Sequence, residues 1–576
     1  MNLDFRNVNS LWGSVLVETL VRCGVQTAVV SPGSRSTPLT FALARHPGIE
    51  SIPVLDERSA AFFALGLAKR THRPVVLLCT SGTAGANYFP AIIEAQESGT
   101  PLLVITADRP PEMRACASGQ TIDQQRLYGA HVNFFHELAV PELSLRLLEY
   151  LRQTVAHAVE RTRAPTAGPV HLNAPFRDPL VPAGGTSAMT LASEIDEGFF
   201  AHLSQPVPAT THTTTWQRPA TTRGVIVAGP AAPGNVTPYA AKVLALAESL
   251  GWPVLADTLS QVRSHAGTNR HVVTCYDAIL RDEALARDLT PSTVLCLGGW
   301  PTSKILRGWI ESSAAEILLV APSAENRDAL HGLTRQIVGP VESLAIPGHR
   351  PADESYLAAW RGAEQVARGV LDRALANETA LFEPKATWLL AQHLPEQTPL
   401  IVASSMPVRD VEYFWPSTGR GHVFHFNRGA NGIDGTLSTA LGVAHGASRP
   451  AVLLTGDLAL LHDSNVFLLR SKLRGSLTVV LINNRGGGIF EHLSVAQFEP
   501  PFEQYFATPQ DVDFAALCAA HGAEHVVVKD WAHFTELVQT LPATGVRVLE
   551  VLTDRKHDAA QRKTLFATVA REMQRA

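Results

Sequence analysis

The sequence has few charged residues and no surplus of basic ones. Lys, Arg, Asp and Glu make up 18% of its 576 residues, and the formal net charge is −5 at pH 7. Proteins that bind nucleic acid or anionic membrane surfaces usually carry a positive surplus or a long basic patch. We therefore expect no nucleic-acid partner and no electrostatic attachment to a membrane.

Long apolar runs are also missing. No stretch approaches the ~20 apolar residues that cross a bilayer. The first residues, Met-Asn-Leu-Asp-Phe-Arg, lack the basic segment and apolar core of a secretory signal. The sequence therefore predicts neither membrane insertion nor export.

Cysteine is scarce and scattered. No CxxC pair occurs, and most of the six cysteines lie in apolar runs: Cys23, Cys79, Cys116, Cys275, Cys296 and Cys518. Such cysteines are typical of reduced core residues rather than of a disulfide framework. We expect a reducing, cytoplasmic location.

What recurs throughout the chain is a short Val/Ile/Leu run, a glycine-containing loop and a helix-length segment. This alternation predicts parallel sheets and an α/β fold. Because the chain is too long for a single core, we expect three α/β domains, at residues 1–190, 191–365 and 366–576. A stretch rich in Pro, Thr and Ala, ending at 210–215, is interpreted as an extended linker after the first domain. The first and third domains could be related to each other.

Two strand ends in the third domain predict a metal site. Asp457 follows the apolar run 451–455, and Asn484 follows the run 477–482. Ligands of open α/β sheets bind at the carboxyl ends of the strands, and Mg²⁺ prefers oxygen ligands that it shares with phosphates. The Asp457 carboxylate, the Asn484 amide oxygen and a backbone carbonyl near Gly486 would hold such an ion. A strand-end turn followed by an ordinary loop is the alternative.

This pattern resembles the thiamin-diphosphate signature, Gly-Asp-Gly followed about thirty residues later by Asn-Asn, with Leu458 in place of the third glycine. The pyrimidine of that cofactor needs a carboxylate that shares a proton with its ring nitrogen. Glu57, after a buried strand, is the candidate, and a solvated, salt-bridged turn is the alternative. Ile433 could hold the cofactor bent, or could be an ordinary core residue.

Motifs along almost the whole chain make the resemblance closer. The motifs are Ser31-Pro-Gly-Ser-Arg-Ser36, Asp56-Glu-Arg58, Thr80-Ser-Gly-Thr83, Thr106-Ala-Asp-Arg-Pro-Pro111, Gln120-Thr-Ile-Asp-Gln124, Asn427-Arg-Gly-Ala430, Gly432-Ile-Asp-Gly435 and Gly487-Gly-Ile-Phe490. With them the sequence resembles the family of 2-succinyl-5-enolpyruvyl-6-hydroxy-3-cyclohexene-1-carboxylate synthases of menaquinone biosynthesis, whose Gly-Asp-Leu variant matches Leu458. The resemblance implies dependence on thiamin diphosphate and Mg²⁺, or Mn²⁺ in its place. It also implies decarboxylation of 2-oxoglutarate and addition of the succinyl semialdehyde carbanion to isochorismate.

The resemblance also implies a set of site residues. Because both substrates are dicarboxylates, basic and polar side chains should bind them: Arg35, Arg109, Lys304, Arg409 and Arg428, with Ser34, Gln120 and Ser405. Ile305 stands where some members have a second basic residue. Besides Glu57, the cofactor would be held by Ser404, Ser405, Gly432, Ile433, Gly456, Asp457, Leu458, Asn484, Gly486, Gly487, Ile489 and Phe490, with Leu493 in the wall of the site.

The resemblance further implies a homodimer or a dimer of dimers, with Glu57 and Asp457 from different subunits in each active site. Two other functions remain open. One is another thiamin-diphosphate-dependent 2-oxoacid decarboxylase or carboligase, such as an acetolactate-synthase-like enzyme that binds flavin. The other is a non-catalytic regulator that binds a nucleotide at the turn 229–234, although this turn lacks the GxGxxG pattern.

Overall fold

The computed structural model describes residues 1, 3–203, 213–348 and 353–575. Part of the predicted linker, residues 204–212, lies outside this range. Within it, eighteen strands form three six-stranded sheets, and every strand pair is parallel. The predicted α/β class with three parallel sheets is confirmed. No helix of the described chain is long and apolar enough to cross a membrane.

The N-terminal sheet has the strand order β2-β1-β3-β4-β6-β5. Its strands are β1 (Thr27–Val30), β2 (Glu50–Pro53), β3 (Val75–Cys79), β4 (Leu102–Asp108), β5 (Phe134–Glu137) and β6 (Pro169–Pro175). Its helices are α1 (Val8–Arg22), α2 (Thr37–Arg45), α3 (Glu57–Thr71), α4 (Thr83–Asn87), α5 (Phe89–Ser98) and α6 (Leu145–Arg161). Every residue of β3, β4 and β6 is buried, as expected for central parallel strands covered on both faces.

The middle sheet has the order β12-β11-β10-β7-β8-β9. Its strands are β7 (Gly224–Ala228), β8 (Val254–Ala256), β9 (Val272–Val273), β10 (Thr293–Leu297), β11 (Glu316–Ala321) and β12 (Leu333–Val338). Its helices are α7 (Val236–Leu250), α8 (Tyr276–Ile279), α9 (Glu283–Asp288) and α10 (Lys304–Ser312). When its strands are numbered from β7 onward, the strand order is that of the sheet in dinucleotide-binding domains.

The C-terminal sheet has the order β14-β13-β15-β16-β18-β17. Its strands are β13 (Pro399–Val402), β14 (Val423–Phe426), β15 (Pro450–Gly456), β16 (Ser476–Asn483), β17 (Glu524–Val527) and β18 (Gly545–Leu552). The remaining helices are α11 (Glu354–Asn377), α12 (Glu383–His393), α13 (Met406–Phe414), α14 (Thr436–Ala447), α15 (Asp457–His462), α16 (Phe514–His521), α17 (Trp531–Gln539) and α18 (Arg555–Met573). Counted from its own first strand, this order is identical to that of the N-terminal sheet, which supports the suggestion that the two domains are related.

Short helices of other types lie in the connections. The 3-10 helices are Pro111–Met113, Ser187–Leu191, Thr258–Ser260, Val262–Ser264, Val341–Ser343, Ser464–Lys472, Gly488–His492 and Ser494–Gln497, and a π-helix spans Glu503–Ala507. The stretch before residue 204 is not an extended linker, because Leu191, Ile195 and Phe200 are buried in the N-terminal core. Although the stretch is rich in Pro and Thr, its few apolar side chains pack into the N-terminal core.

The described chain forms two compact units. Unit 1 comprises residues of 1–209 with 427–448 and 462–474, and unit 2 comprises the rest. In unit 1, α14 packs closely on α3, where a Cβ on Gly66 would lie 2.1 Å from the Thr439 carbonyl oxygen. In unit 2, one apolar core joins residues of the middle and C-terminal sheets, such as Val225 and Leu400. The predicted boundary at 365/366 falls inside α11, and the domain boundaries stay a prediction.

Candidate active site

The strand order places both candidate ligand loops of unit 2 at one point of the C-terminal sheet. Strands β13 and β15 are neighbours, and their onward connections lead to opposite sides. Ser404 and Ser405 follow β13, while Asp457 follows β15. In open α/β sheets such a switch point is where ligands bind, because the two connections leave a crevice between them.

Asp457 is buried at this point and bound to two backbone groups. Its Oδ1 accepts from the N–H of Leu458 and its Oδ2 from the N–H of Gly486, each at 2.8 Å. Burial raises the pKa of Asp457 to about 6. A carboxylate that loses water without a cation nearby is destabilised in its charged form, so this position favours a bound cation.

Asn484 lies beyond the end of the neighbouring strand. Gly456 on β15 pairs with Ile482 on β16, so the next residues of both strands emerge at the same edge. The Asn484 Nδ2 donates to Glu383 Oε1. Within the described chain its Oδ1 is buried without a hydrogen-bond partner. An amide oxygen left in this state costs free energy unless a ligand occupies it.

The glycine loop after Asn484 is shaped by close approach of another backbone. Gly486 has φ 132°, and a Cβ there would lie 2.3 Å from the Ala507 carbonyl oxygen, so a larger residue cannot fit. The Gly486 carbonyl accepts from the Gly488 N–H at 2.9 Å and keeps a second lone pair. At Gly456, by contrast, a Cβ would meet nothing within 4 Å, so space opens beside Asp457.

These donors fit a hard cation that also binds phosphate oxygens. No group of three or more His, Cys, Asp or Glu able to hold a metal occurs among the described residues. A metal at this edge would therefore take one carboxylate from Asp457, one amide oxygen from Asn484 and a backbone oxygen from Gly486. This oxygen set, completed by external oxygens, is the type that Mg²⁺ accepts.

Three basic side chains, Arg409, Lys304 and Arg307, lie in the same unit as Asp457. Ser405, at φ 72°, caps α13, and its carbonyl accepts from Arg409 Nη1 at 2.6 Å. Burial, and to a smaller extent the charge of Arg307, lower the pKa of Arg409. Lys304 is exposed at the start of α10, and Arg307 is half-buried one turn later. In the described part of the chain, none of these three cations forms an ion pair with a carboxylate, which favours an anionic ligand.

Three predicted residues of unit 1 meet around Ser81, in the loop after β3. Arg109 Nη1 donates to Ser81 Oγ, and Gln120 Nε2 donates to the Ser81 carbonyl at 3.0 Å. The Arg35 backbone N–H donates to Thr80 Oγ1 at 3.3 Å. Strands β1 and β3 form the switch point of this sheet, so the loops that follow them lie at one edge of the sheet.

Of the two arginines in this cluster, Arg35 is buried and Arg109 is half-buried. Burial, and then the charge of Arg35, lower the pKa of Arg109. Arg35 Nη1 donates to the Phe176 carbonyl at 2.9 Å, and its one ion pair in the described chain is with exposed Asp178 at 3.9 Å. The Nε atoms of both arginines are buried without a partner among the described residues. Two close guanidinium groups with open donors suit a carboxylate ligand.

Glu57 is the first residue of α3, after the N-cap Asp56. Its charge contributes to the raised pKa of Cys79 at the end of β3 and of Tyr88, behind the larger effect of burial in both cases. Glu57 therefore lies near the carboxyl end of β3. The side chain is half-buried rather than fully covered.

Further predicted residues of unit 1 lie in the loop before α14. The N–H groups of Gly429 and Ala430 donate to the two oxygens of buried Glu94, at 3.0 and 2.7 Å. This anchoring holds half-buried Arg428 in place. Ile433 is half-buried and its carbonyl accepts from Thr436 Oγ1 at 2.7 Å, while a Cβ on Gly432 would lie 2.1 Å from Asp434 Oδ1.

Other predicted residues differ in exposure. Ser34 and Leu493 are exposed, Leu458, Ile489 and Phe490 are half-buried, and Ser404 and Gly487 are buried. The Phe490 ring packs edge-on against Phe506 at 5.7 Å. None of these positions lies in a strand: Leu458 is in the first turn of α15, Ile489 and Phe490 are in the 3-10 helix Gly488–His492, and the other four lie in connections.

Sequence reasoning missed Glu383 and Arg307. Glu383 begins α12 and precedes a proline, which is the pattern of an ordinary helix start, so no local signal distinguished it. Arg307 could have been found, because it follows Lys304 by three residues and a helix places both on one face.

The turn at 229–230 in the middle sheet is closed by other backbone groups. The Gly229 N–H donates to Leu297, and the Gly299 N–H donates to Pro230. A Cβ on Gly229 would lie 1.7 Å from the Gly299 carbonyl oxygen. These backbone contacts favour a structural turn over a nucleotide-binding site.

Comparisons with known proteins find related domains in three successive parts of the chain. Residues 12–127 match the thiamine pyrophosphate enzyme N-terminal TPP binding domain, 196–402 the middle domain of thiamine pyrophosphate enzymes, and 408–551 the C-terminal TPP binding domain. The crystal structure of benzoylformate decarboxylase from Polynucleobacter necessarius has a TM-score of 0.68 at 17% identity, covering 94% of this chain and 98% of that one. This likeness shows the fold.

Curated relatives are similar over nearly their whole length, and each is named 2-succinyl-5-enolpyruvyl-6-hydroxy-3-cyclohexene-1-carboxylate synthase. The protein from Microcystis aeruginosa is 50% identical over 558 residues, covering 96% of this chain and 98% of its own. The protein from Nostoc sp. is 50% identical over 579 residues, with 99% of both chains covered. The protein from Synechococcus sp. is 52% identical over 581 residues, with 98% and 97% covered.

Proposed function

The chain belongs to the family of 2-succinyl-5-enolpyruvyl-6-hydroxy-3-cyclohexene-1-carboxylate synthases, thiamin-diphosphate-dependent enzymes, and we propose that it decarboxylates 2-oxoglutarate and adds the resulting four-carbon unit to isochorismate. The product would be the compound in the family name, and the step would belong to menaquinone biosynthesis. The observation that carries the proposal is an oxygen-donor site at Asp457 and Asn484 in the same unit as Arg307 and Arg409, which form no ion pair with a carboxylate among the described residues. A dianionic 2-oxoacid needs both.

The residues at the C-terminal switch point fit the metal and the diphosphate. Asp457, the Asn484 amide oxygen and the Gly486 carbonyl would bind Mg²⁺, or Mn²⁺ in its place. Gly456 and Gly487 would let the backbone approach the phosphates. Ser404 and Ser405, on the other strand of the switch point, would donate to the cofactor.

Thiamin diphosphate, when bound, supplies a site that accepts the electron pair left by decarboxylation of a 2-oxoacid. Glu57 would share a proton with the ring nitrogen of the pyrimidine and so control the protonation of the neighbouring amino group. Ile433 would support the bent cofactor from the side. Leu458, Ile489 and Phe490, with Leu493, would exclude water from the reacting atoms.

The two substrates are assigned to different cations. Arg409 and Arg428, with Lys304, would hold the carboxylates of 2-oxoglutarate, and Arg307 would supplement exposed Lys304 from the same face of α10. The cluster around Ser81, with Arg35, Arg109 and Gln120, would hold isochorismate, with Ser34 as a further donor. Guanidinium forks suit this task because they bind carboxylates through two parallel hydrogen bonds.

The proposed assembly rests on the family resemblance, and the proposed location rests on the scattered cysteines. We propose a homodimer or a dimer of dimers with each active site at a subunit interface, in the cytoplasm. Sedimentation equilibrium would measure the assembly. A monomer that retains full activity would refute the shared site.

The test of the reaction is product formation by the full chain with thiamin diphosphate and MgCl₂. With 2-oxoglutarate and isochorismate together, we expect the adduct by mass spectrometry and stoichiometric CO₂ release. An acetolactate-synthase-like enzyme would instead consume pyruvate and carry the absorbance of a flavin. Turnover of pyruvate but not of 2-oxoglutarate would overturn the proposal.

A further inference from the structure

Beside the proposed metal site lies a buried carboxylate that the proposed function does not use. Glu383, at the start of α12, is 2% exposed. Its Oε1 accepts from Asn484 Nδ2, and its Oε2 accepts from Arg562 Nη2. Arg562 is itself held by both oxygens of Asp410, through bonds of 2.8 Å. The Glu383 carboxylate is therefore fixed from both sides.

This contact decides which way the Asn484 amide points. An ionised carboxylate only accepts hydrogen bonds, so the NH₂ group of Asn484 must face Glu383. The amide oxygen is then turned to the opposite side, where it is buried and has no partner among the residues that the structure describes. With the amide reversed, the Asn484 oxygen would face a carboxylate oxygen of Glu383, and the Asn484 NH₂ group would face the proposed metal ion.

We infer that Glu383 is a positioning residue that holds the Asn484 amide in the one orientation in which its oxygen can bind the metal. Arg562 takes the other carboxylate oxygen and so keeps Glu383 in place. This inference rests on the metal site proposed above. Partners that orient a metal ligand typically contribute about 10- to 100-fold to metal affinity.

The substitution E383Q tests the orientation with little change of volume. Because Arg562 can only donate, the new amide would turn its oxygen toward Arg562 and its NH₂ group toward Asn484. Asn484 would then have to reverse, which removes its oxygen from the metal. We expect Mg²⁺-dependent binding of thiamin diphosphate, measured by calorimetry in a series of MgCl₂ concentrations, to need about 10- to 100-fold more Mg²⁺.

The chain offers a matched control one residue away. Asn483 Nδ2 donates to Glu550 Oε1 at 2.6 Å, and Glu550 is also buried. E550Q therefore replaces a carboxylate that binds the adjacent asparagine, but not the proposed ligand. We expect E550Q to bind the cofactor with the Mg²⁺ dependence of the wild type. Equal weakening by both variants would mean a general effect on the strand end and would overturn the inference.

A double variant, E383Q with N484D, separates the effect of orientation from an effect on folding. The carboxylate introduced by N484D has an oxygen on each side. One oxygen can accept from the amide introduced by E383Q while the other faces the metal. The double variant should recover at least about tenfold of the lost Mg²⁺ affinity. N484D alone, which sets two carboxylates side by side, should bind Mg²⁺ less tightly than the double variant.

Several results would refute the inference. If the double variant binds no better than E383Q, or no better than N484D alone, orientation is not what Glu383 provides. Unchanged Mg²⁺ dependence in folded E383Q would also overturn it, while leaving the proposed reaction intact. If binding by the wild type did not depend on Mg²⁺, the metal site and the inference would both be wrong.

Discussion

The substitution R109A should weaken isochorismate binding far more than 2-oxoglutarate binding. Arg109 is half-buried near Arg35, whose charge helps to lower its pKa after the effect of burial, and its Nε has no partner within the described chain. A substrate carboxylate would therefore receive charge-assisted hydrogen bonds from a half-buried guanidinium group. Such a bond contributes about 1.5–3 kcal/mol, and each 1.4 kcal/mol is a factor of ten, so KM for isochorismate should rise about 10- to 150-fold.

Two further variants divide this effect into its parts. R109K keeps the charge but loses the planar fork, so its KM should lie between those of the wild type and R109A. R35A should act like R109A, and the double variant should lose less than the product of the two effects, because both arginines bind one anion. Steady-state kinetics with each substrate varied separately would measure these values.

The controls address the contact that Arg109 makes inside the protein. Because Arg109 donates to Ser81 Oγ, R109A could act by releasing the loop after β3. S81A removes that bond and keeps the cation, so it should change KM for isochorismate by less than about threefold. R146A, at an exposed position of α6, should have no effect. An S81A effect as large as that of R109A, or equal losses for both substrates, would refute the reasoning.

Four more outcomes are expected. E57Q should keep thiamin diphosphate bound but slow hydrogen exchange at C2 of the bound thiazolium by roughly 10²–10⁴-fold, measured by NMR, and wild-type exchange would exclude Glu57 from this role. D457A and N484A should remain folded by circular dichroism yet lose Mg²⁺-dependent cofactor binding by calorimetry; unchanged affinity in both would contradict the site. R307A should raise KM for 2-oxoglutarate about tenfold or more. An unchanged KM would mean that Arg307 does not bind this substrate. Burial raises the pKa of Glu412 to about 8, above its ordinary 4.5. The protonated side chain therefore stabilises the fold fully below pH 4.5, and this stabilisation is lost as the pH rises through about 8. The Tm of E412Q should fall less than that of the wild type from pH 5 to 8, and an equal fall would contradict this.

Much of the fold could be predicted because its signals are local. A parallel strand buried on both faces must be a short apolar run such as Val75–Cys79, and a helix must follow it to reach the next strand. The loops that end these runs carry Arg35, Arg109, Asp457 and Asn484 in recognisable motifs. Their positions at strand ends were therefore predictable before any contact was known.

Residues joined by long-range contacts could not be predicted in this way. Glu383 reaches Asn484 across 101 positions, and Arg562 reaches Glu383 across 179. No periodicity or spacing links such positions. Likewise, the stretch before residue 204 has the composition of a linker, yet Leu191 and Phe200 bury their side chains in the N-terminal core.

The sequence by itself determined the α/β class, the family and the motifs that carry the oxygen donors and the cations. Backbone hydrogen bonds and apolar periodicity act within a few residues of one another and so set the α/β class, whereas the family is recognised from the motifs. Only the tertiary structure decided the strand order that brings Ser405 and Asp457 to one switch point, and the direction in which the Asn484 amide faces. Those features depend on which distant groups meet when the apolar surfaces are buried, because burial of a polar atom is tolerated only where a partner lies at the right place.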